Sequence, residues 1–153
     1  MIIHVPNKNT LIIDDFRLRC CIGKKGINYN KKEGDYSTPK GLFNLRKLYF
    51  RKDRVGIPKC KINRKIIKRD MAWCDDPNQK KYNEEIKTRT KDLKESLYRK
   101  DHKYDYIISI SHNERKIPNK GSAVFIHLTN NYNPTAGCVA LKKKDFEILL
   151  KLI

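Results

Sequence analysis

The sequence contains no long hydrophobic segment. None of its apolar runs approaches the roughly 20 residues that a membrane-spanning helix needs, and its first residues lack the basic and apolar regions of a secretory signal peptide. Taken literally, the sequence therefore predicts a soluble, cytoplasmic chain. Internal repeats and composition breaks are also missing, and 153 residues suffice for a single core. We predict one domain over residues 1–153.

The cysteines lack the spacing of a metal site. No C-x-x-C pair and no Cys/His pattern of a structural zinc site is present, so we predict no metal and no other cofactor. A disulfide framework is not expected at this size and cysteine density. Since the count is odd, at least one thiol remains free. The economical interpretation is one reactive thiol among several structural ones: Cys20, Cys21, Cys60, Cys74 and Cys138.

Acidic residues are scarce. The chain has 17 Asp and Glu against 35 Lys and Arg, which gives a net charge of +18. Such an excess attracts polyanions such as nucleic acid, an anionic envelope polymer or a lipid surface. The basic residues lie along the whole chain and accompany many Asn and Ile residues, which favours compositional drift. Nucleic-acid binding stays open as the minority interpretation.

Short apolar segments separated by turn residues predict a mainly β domain. Near the C-terminus an apolar stripe at helical spacing predicts a short closing helix, with Phe146, Leu149 and Leu150 on its buried face. Residues 51–103 show weak periodicity, and we expect a surface excursion with one helix near residues 91–99, forming a lid or the wall of a groove. Strands are predicted at residues 2–5, 11–13, 16–22, 41–45, 106–110, 123–127 and 137–141.

A histidine and a cysteine are placed for nucleophilic catalysis. His127 ends a continuous apolar strand, and Cys138 follows after a turn-rich loop, directly behind Gly137. A thiol attacks as the thiolate and needs an imidazole within reach, which two adjoining strand ends can provide. Gly137 permits a tight bend whose amides can face an oxyanion. The structural alternative is a buried Cys that packs as a small hydrophobe beside a hydrogen-bonded His.

Three segments together resemble the YkuD-type L,D-transpeptidases. Residues 121–141, GSAVFIHLTNNYNPTAGCVAL, are similar to the family's catalytic motif, a His on one strand followed by Ser/Thr-x-Gly-Cys on the next. Residues 32–43 resemble its Gly-Asp-x-x-Thr-Pro-x-Gly-x-Phe element, and residues 73–77 with 82–83 resemble a compact branch of the family. The resemblance implies a YkuD-like β-sandwich or mixed-sheet catalytic domain with a short C-terminal helix.

The resemblance also implies a mechanism. Cys138 attacks the carbonyl of the third residue of a peptidoglycan stem peptide, expels the terminal D-alanine and carries a thioester. His127 keeps the thiol ionised and moves the proton, while backbone amides around Gly137 and Cys138 hold the oxyanion. The side-chain amine of a second stem then completes a 3→3 cross-link in cell-wall biogenesis. The implied partners are peptidoglycan stem peptides, and the implied location is the cell wall or periplasm.

Two positions depart from the family pattern. Many members carry a His two positions before the cysteine and an Arg two positions after it, where this chain has Ala136 and Ala140. The alternatives are therefore an L,D-carboxypeptidase, a cysteine amidase at the same site, and a basic non-catalytic module that binds polyanions. The remaining candidates are Thr135 as a supporting residue and, as substrate-binding residues, Ser122, Asn113 and Trp73.

Overall fold

The computed structural model describes residues 2–88 and 94–153. Its main sheet has eight strands, all antiparallel to their neighbours except for two parallel pairs. In spatial order the strands are β1 (Ile3–Asn7), β2 (Thr10–Ile13), β3 (Phe16–Cys21), β13 (Val139–Leu141), β12 (Phe125–Leu128), β11 (Tyr106–Ile110), β6 (Leu45–Phe50) and β7 (Asn63–Ile66). The fold is thus mainly β, as predicted.

Two smaller sheets and two helices complete the described chain. One sheet has three strands, in the order β10 (Lys94–Ser96), β8 (Met71–Cys74) and β9 (Glu85–Lys87). The other pairs β4 (Ile27–Asn28) with β5 (Thr38–Pro39). The helices are α1 (Lys52–Val55) and α2 (Lys143–Leu152), the latter at the place that the apolar stripe predicted. None of the helices in the described residues is long and apolar enough to cross a membrane.

The strand predicted at residues 41–45 begins later than predicted. The strand begins only at Leu45, and the preceding residues bend. The Phe43 ring folds back over Gly41, where an added Cβ would lie 2.8 Å from the ring. The ring leaves little room for a side chain at residue 41 unless it shifts, and the Leu42 side chain is exposed.

The middle of the chain is more ordered than its weak periodicity suggested. Residues 63–66 extend the main sheet, and residues 71–74 are the central strand of the three-stranded sheet. The helix predicted near residues 91–99 is wrong in its described part, because β10 pairs Glu95 with Trp73 and Leu97 is fully buried behind it. Residues 91–93 of that prediction lie outside the described residues.

The main sheet has a hydrophobic core on each face. On one face α2 packs against the strands, with the Phe146 ring stacked 5.3 Å from Tyr106. On the other face the three-stranded sheet covers a smaller core that contains Cys138. The smaller core comprises Tyr49, Ile67, Met71, Leu97, Tyr104, Ile107, Phe125 and Cys138. The middle segment therefore forms the cover of the face on which the candidate nucleophile lies.

Candidate active site

Strand pairing brings Cys138 and His127 to one face of the main sheet. β12 and β13 are parallel neighbours, with His127 opposite Ala140. Side chains alternate between faces along a strand, so residues two apart lie on the same side. Cys138 precedes Ala140 by two residues, which places its side chain on the same face as His127. The two residues singled out from the sequence thus lie on one sheet face, with Cys138 beside Phe125 and His127 two residues further along β12.

The Cys138 thiol has two backbone partners. Its sulfur lies 3.3 Å from the carbonyl oxygen of Ala123, to which it donates, and 3.3 Å from the amide nitrogen of Phe125, from which it accepts. His127 is not among the hydrogen-bond partners of the sulfur in the described residues. Burial raises the pKa of the Cys138 thiol to about 12, although the Phe125 amide opposes this shift. The resting group is therefore a protonated thiol.

The His127 ring is held in one tautomer. Nδ1 lies 2.8 Å from the carbonyl oxygen of Leu128, which can only accept, so Nδ1 carries the hydrogen and Nε2 the lone pair. The Tyr104 ring contacts the imidazole edge-on at 5.3 Å. Burial lowers the pKa of His127 to about 4, with Lys103 and Arg99 contributing to the shift. Burial thus favours the neutral forms of the His127 imidazole and the Cys138 thiol over the ionised pair that the resemblance implied.

The loop before the cysteine is closed by the Thr135 hydroxyl. Thr135 Oγ1 donates to the Cys138 carbonyl oxygen at 2.6 Å and accepts from the Gly137 amide at 3.1 Å. The Thr135 amide in turn donates to Ile22 O on the neighbouring chain segment. The Gly137 amide is thus already paired, so an oxyanion role for it requires this bond to open. Thr135 and Gly137 support the cysteine by fixing its backbone.

A second threonine ties the cysteine loop to the rest of the fold. Buried Thr38 accepts from the Gly23 amide at 2.9 Å and donates to the Gly137 carbonyl oxygen at 2.8 Å. At Gly137 φ is +150°, and an added Cβ would lie 2.8 Å from the backbone oxygen of Ser37. The Thr-Pro element that resembles the family motif therefore clamps the glycine beside the nucleophile.

We expect Thr38→Val to destabilise the fold. The substitution keeps the shape of the side chain but leaves a buried amide and a buried carbonyl without partners, at a cost of about 2–4 kcal/mol. Urea unfolding followed by circular dichroism measures the change. Thr10→Val is the matched control, since among the described residues the Thr10 hydroxyl bonds only to exposed Asn9. Equal urea-unfolding midpoints for Thr38→Val and Thr10→Val would contradict the inference that the two Thr38 hydrogen bonds stabilise the fold.

Lys31 is a neighbour of the site that no sequence motif singles out. It is 6% exposed, and its ammonium binds Asp35 and the Lys32 carbonyl. The ammonium lies 3.4 Å from the position that a Cβ on Gly137 would occupy, and its charge favours the thiolate form of Cys138. In the sequence Lys31 is one lysine among many, so only its burial reveals it.

Asn83 positions the backbone that receives the thiol. Its Oδ1 accepts from the Trp73 indole at 2.9 Å and from the Ala123 amide at 3.1 Å, and its Nδ2 donates to the carbonyl of His112. The Trp73 ring packs 5.1 Å from Phe125 on the same sheet face as Cys138. The segment that resembles a compact branch of the family therefore forms one wall around the nucleophile.

Ser122 and Asn113 have contacts away from the sulfur. The Ser122 hydroxyl donates to Glu33 at 2.7 Å. The Asn113 amide donates to the carbonyls of Ile117 and Gly121 and closes the turn between β11 and β12. Both residues connect loops around the site, and a role in substrate binding remains a prediction for them.

A small polar pocket opens beside His127. Its volume is about 200 Å³, and both alanines that depart from the family pattern, Ala136 and Ala140, line it. A larger apolar groove of about 610 Å³ lies between β1 and residues 38–45 and includes neither His127 nor Cys138. The remaining lining residues of the small pocket are Arg99, Lys103, Tyr104, His127, Leu128, Thr129, Asn131, Asn133, Pro134 and Thr135.

Comparison with known proteins supports the resemblance over the full length. The family model described as the L,D-transpeptidase catalytic domain (YkuD) matches residues 2–153. Neither the curated proteins nor the solved structures gave a match to this chain.

Proposed function

Because the chain belongs to the L,D-transpeptidase catalytic domain (YkuD) family, we propose that it is a cysteine acyltransferase for peptidoglycan stem peptides, with Cys138 as nucleophile and His127 as base. The proposed product is a 3→3 cross-link, and the proposed place of action is the cell wall. The observation that carries the proposal is the placement of a thiol and a tautomer-locked imidazole on one sheet face, next to an open pocket.

Acylation starts from neutral groups. The thiol turns from Ala123 toward His127, and its proton passes to Nε2 as sulfur attacks the carbonyl carbon of the third stem residue. When the tetrahedral intermediate collapses, the bond between carbon and the D-alanine nitrogen breaks, and the imidazolium returns the proton to that nitrogen. The products are a thioester on Cys138 and free D-alanine, and His127 is neutral again.

Deacylation uses the same base. His127 accepts a proton from the side-chain amine of a second stem as this amine attacks the thioester carbon, and it returns the proton to the leaving sulfur. Water in place of the amine gives the tripeptide and makes the site an L,D-carboxypeptidase. The acceptor therefore decides between transfer and hydrolysis, while the residues that do the chemistry stay the same.

Intact-protein mass spectrometry tests the proposal. The protein is incubated with a synthetic tetrapeptide stem and, separately, with a carbapenem-type β-lactam that acylates such cysteines. We expect a mass increase of one acyl group, located on Cys138 by peptide mapping, together with release of D-alanine. Product analysis separates the cross-linked dimer of transfer from the tripeptide of hydrolysis. The proposal fails if neither reagent modifies Cys138 and no D-alanine is released, and steeply salt-dependent polyanion binding would then favour the basic binding module.

A further inference from the structure

The larger apolar groove gathers the most exposed large apolar side chains among the described residues. Leu42 is 90% exposed and Ile2 is 71% exposed, and both line the groove together with Ile27. Tyr29 is 74% exposed and stands next to the groove, because its ring centre lies 4.4 Å from the ammonium of the lining residue Lys40. Exposed apolar side chains that gather around one groove mark an interaction surface.

The main sheet contributes further apolar side chains to the groove. Ile126 and Val139 belong to the core on the α2 side of the sheet, Leu45 and Ile110 pack against that core, and all four line the groove. The nucleophile lies on the other face of the sheet. None of the residues that line the groove also lines the pocket beside the catalytic histidine. A partner that covers the groove therefore need not cover the site of the chemistry.

The charged side chains at the groove are basic. Lys40 lines it, and no acidic residue does. Lys8 is close by, because its Cε lies 3.3 Å from the position that a Cβ on Gly26 would occupy, directly before Ile27. Lys25 is exposed in the same segment, and no ion pair among the described residues involves any of these three lysines. The groove thus presents apolar surface and positive charge side by side.

These two properties together select the class of partner. A second copy of this chain would bring its own net charge of +18 to the groove, and like charges of this size keep copies apart. A nucleic acid offers phosphates to the lysines but leaves the aliphatic side chains in water. An anionic lipid bilayer suits both, because acyl chains accept aliphatic side chains while the headgroups attract lysines. Tyrosine and lysine, with an apolar body and a polar tip, suit the boundary between the two layers.

We propose that the rim of this groove docks on the surface of an anionic lipid bilayer. Leu42, Ile2 and Ile27 insert among the acyl chains. Lys40 pairs with headgroup phosphates, and Tyr29 lies at the level of the headgroups. The docking requires neither substrate nor reaction, so its test is independent of the proposed function.

Co-flotation with vesicles measures the docking. Vesicles of phosphatidylcholine alone are compared with vesicles that contain about 30% phosphatidylglycerol, in about 0.1 M salt. We expect wild type to bind the anionic vesicles at least about tenfold more tightly. Leu42→Ser should weaken this binding about tenfold or more, and Lys40→Glu about fivefold or more. Ile57→Ser and Lys100→Glu make the same changes at exposed positions outside the groove and should bind as wild type does.

Quenching by brominated acyl chains separates insertion from adsorption by charge alone. The tryptophan emission of Leu42→Trp protein on such vesicles should be quenched at least about twofold more than that of Ile57→Trp protein, since Trp73 contributes to both. Equal quenching, equal binding of Leu42→Ser and Ile57→Ser, or equal binding of wild type to both kinds of vesicle would overturn the proposal. A concentration-dependent dimer that Leu42→Ser abolishes, without vesicle binding, would also overturn it and assign the groove to contact between copies.

Discussion

Cys138→Ala protein is expected to release D-alanine from a tetrapeptide stem at less than about one thousandth of the wild-type rate. The thiol is the only group in the proposed mechanism that bonds to the substrate carbon, and loss of a nucleophile typically removes most of the catalysed rate. The measurement is kcat/KM from a coupled D-alanine assay at saturating acceptor. Mass spectrometry of the same samples should show no acyl adduct.

Two controls accompany this expectation. One substitutes another cysteine, and the other checks that the Cys138 variants fold. Cys60→Ala should keep wild-type turnover, since Cys60 lies outside the smaller hydrophobic core that contains Cys138. Removing the sulfur leaves the Ala123 carbonyl and the Phe125 amide without their partner, which costs about 1–2 kcal/mol. Cys138→Ser preserves both contacts and should be folded and inactive. Turnover by the alanine variant, or an adduct on another cysteine, would identify a different nucleophile.

His127→Gln is expected to lower kcat/KM by about 10²–10⁴-fold, the usual contribution of a positioned general base. Glutamine can donate to the Leu128 carbonyl as Nδ1 does, but it cannot take the thiol proton. The assay is the same D-alanine release, and thermal unfolding checks that the fold is retained. The matched control is His4→Gln, at an exposed histidine in the first strand. A variant with unchanged kcat/KM would exclude His127 as the base.

The pH dependence of wild-type activity tests the role of His127 independently. A base works in its neutral form, which exists above its pKa, and burial places the pKa of His127 at about 4. Activity should therefore hold from pH 8 down to about pH 5 and decline only as the pH falls through about 4. An acid limb with its midpoint near the ordinary histidine value of about 6.5 would show that the imidazole is solvated in the working enzyme.

The sequence contained enough information for the strands that carry the chemistry. The alternation of residues 106–110 and the continuous apolar run at residues 123–127 predict strands, and the structure has β11 at Tyr106–Ile110 and β12 at Phe125–Leu128. The helical spacing of an apolar stripe predicts α2. The pair of His127 and Cys138 followed from their position at adjoining strand ends. Their common face was not predictable from spacing, since it depends on the parallel register of β12 and β13.

The parts that escaped prediction depend on contacts between distant residues. β10 is a strand because it pairs with β8, although its local sequence favoured a helix. Lys31 and Tyr104 acquire their roles by burial next to Cys138 and His127, and nothing in their neighbouring residues distinguishes them. The double role of Thr38 likewise exists only when residues 23 and 137 meet.

The hydrogen bond from the Cys138 thiol to the Ala123 carbonyl has a consequence for chemical durability. Peroxides and electrophilic toxins react with thiolates, and a protonated sulfur enclosed by protein is a poor target for them. In the proposed mechanism the proton leaves as the substrate carbonyl is attacked, so a thiolate would exist for only a small part of each turnover. We therefore expect the buried, protonated Cys138 to resist inactivation by oxidants between turnovers.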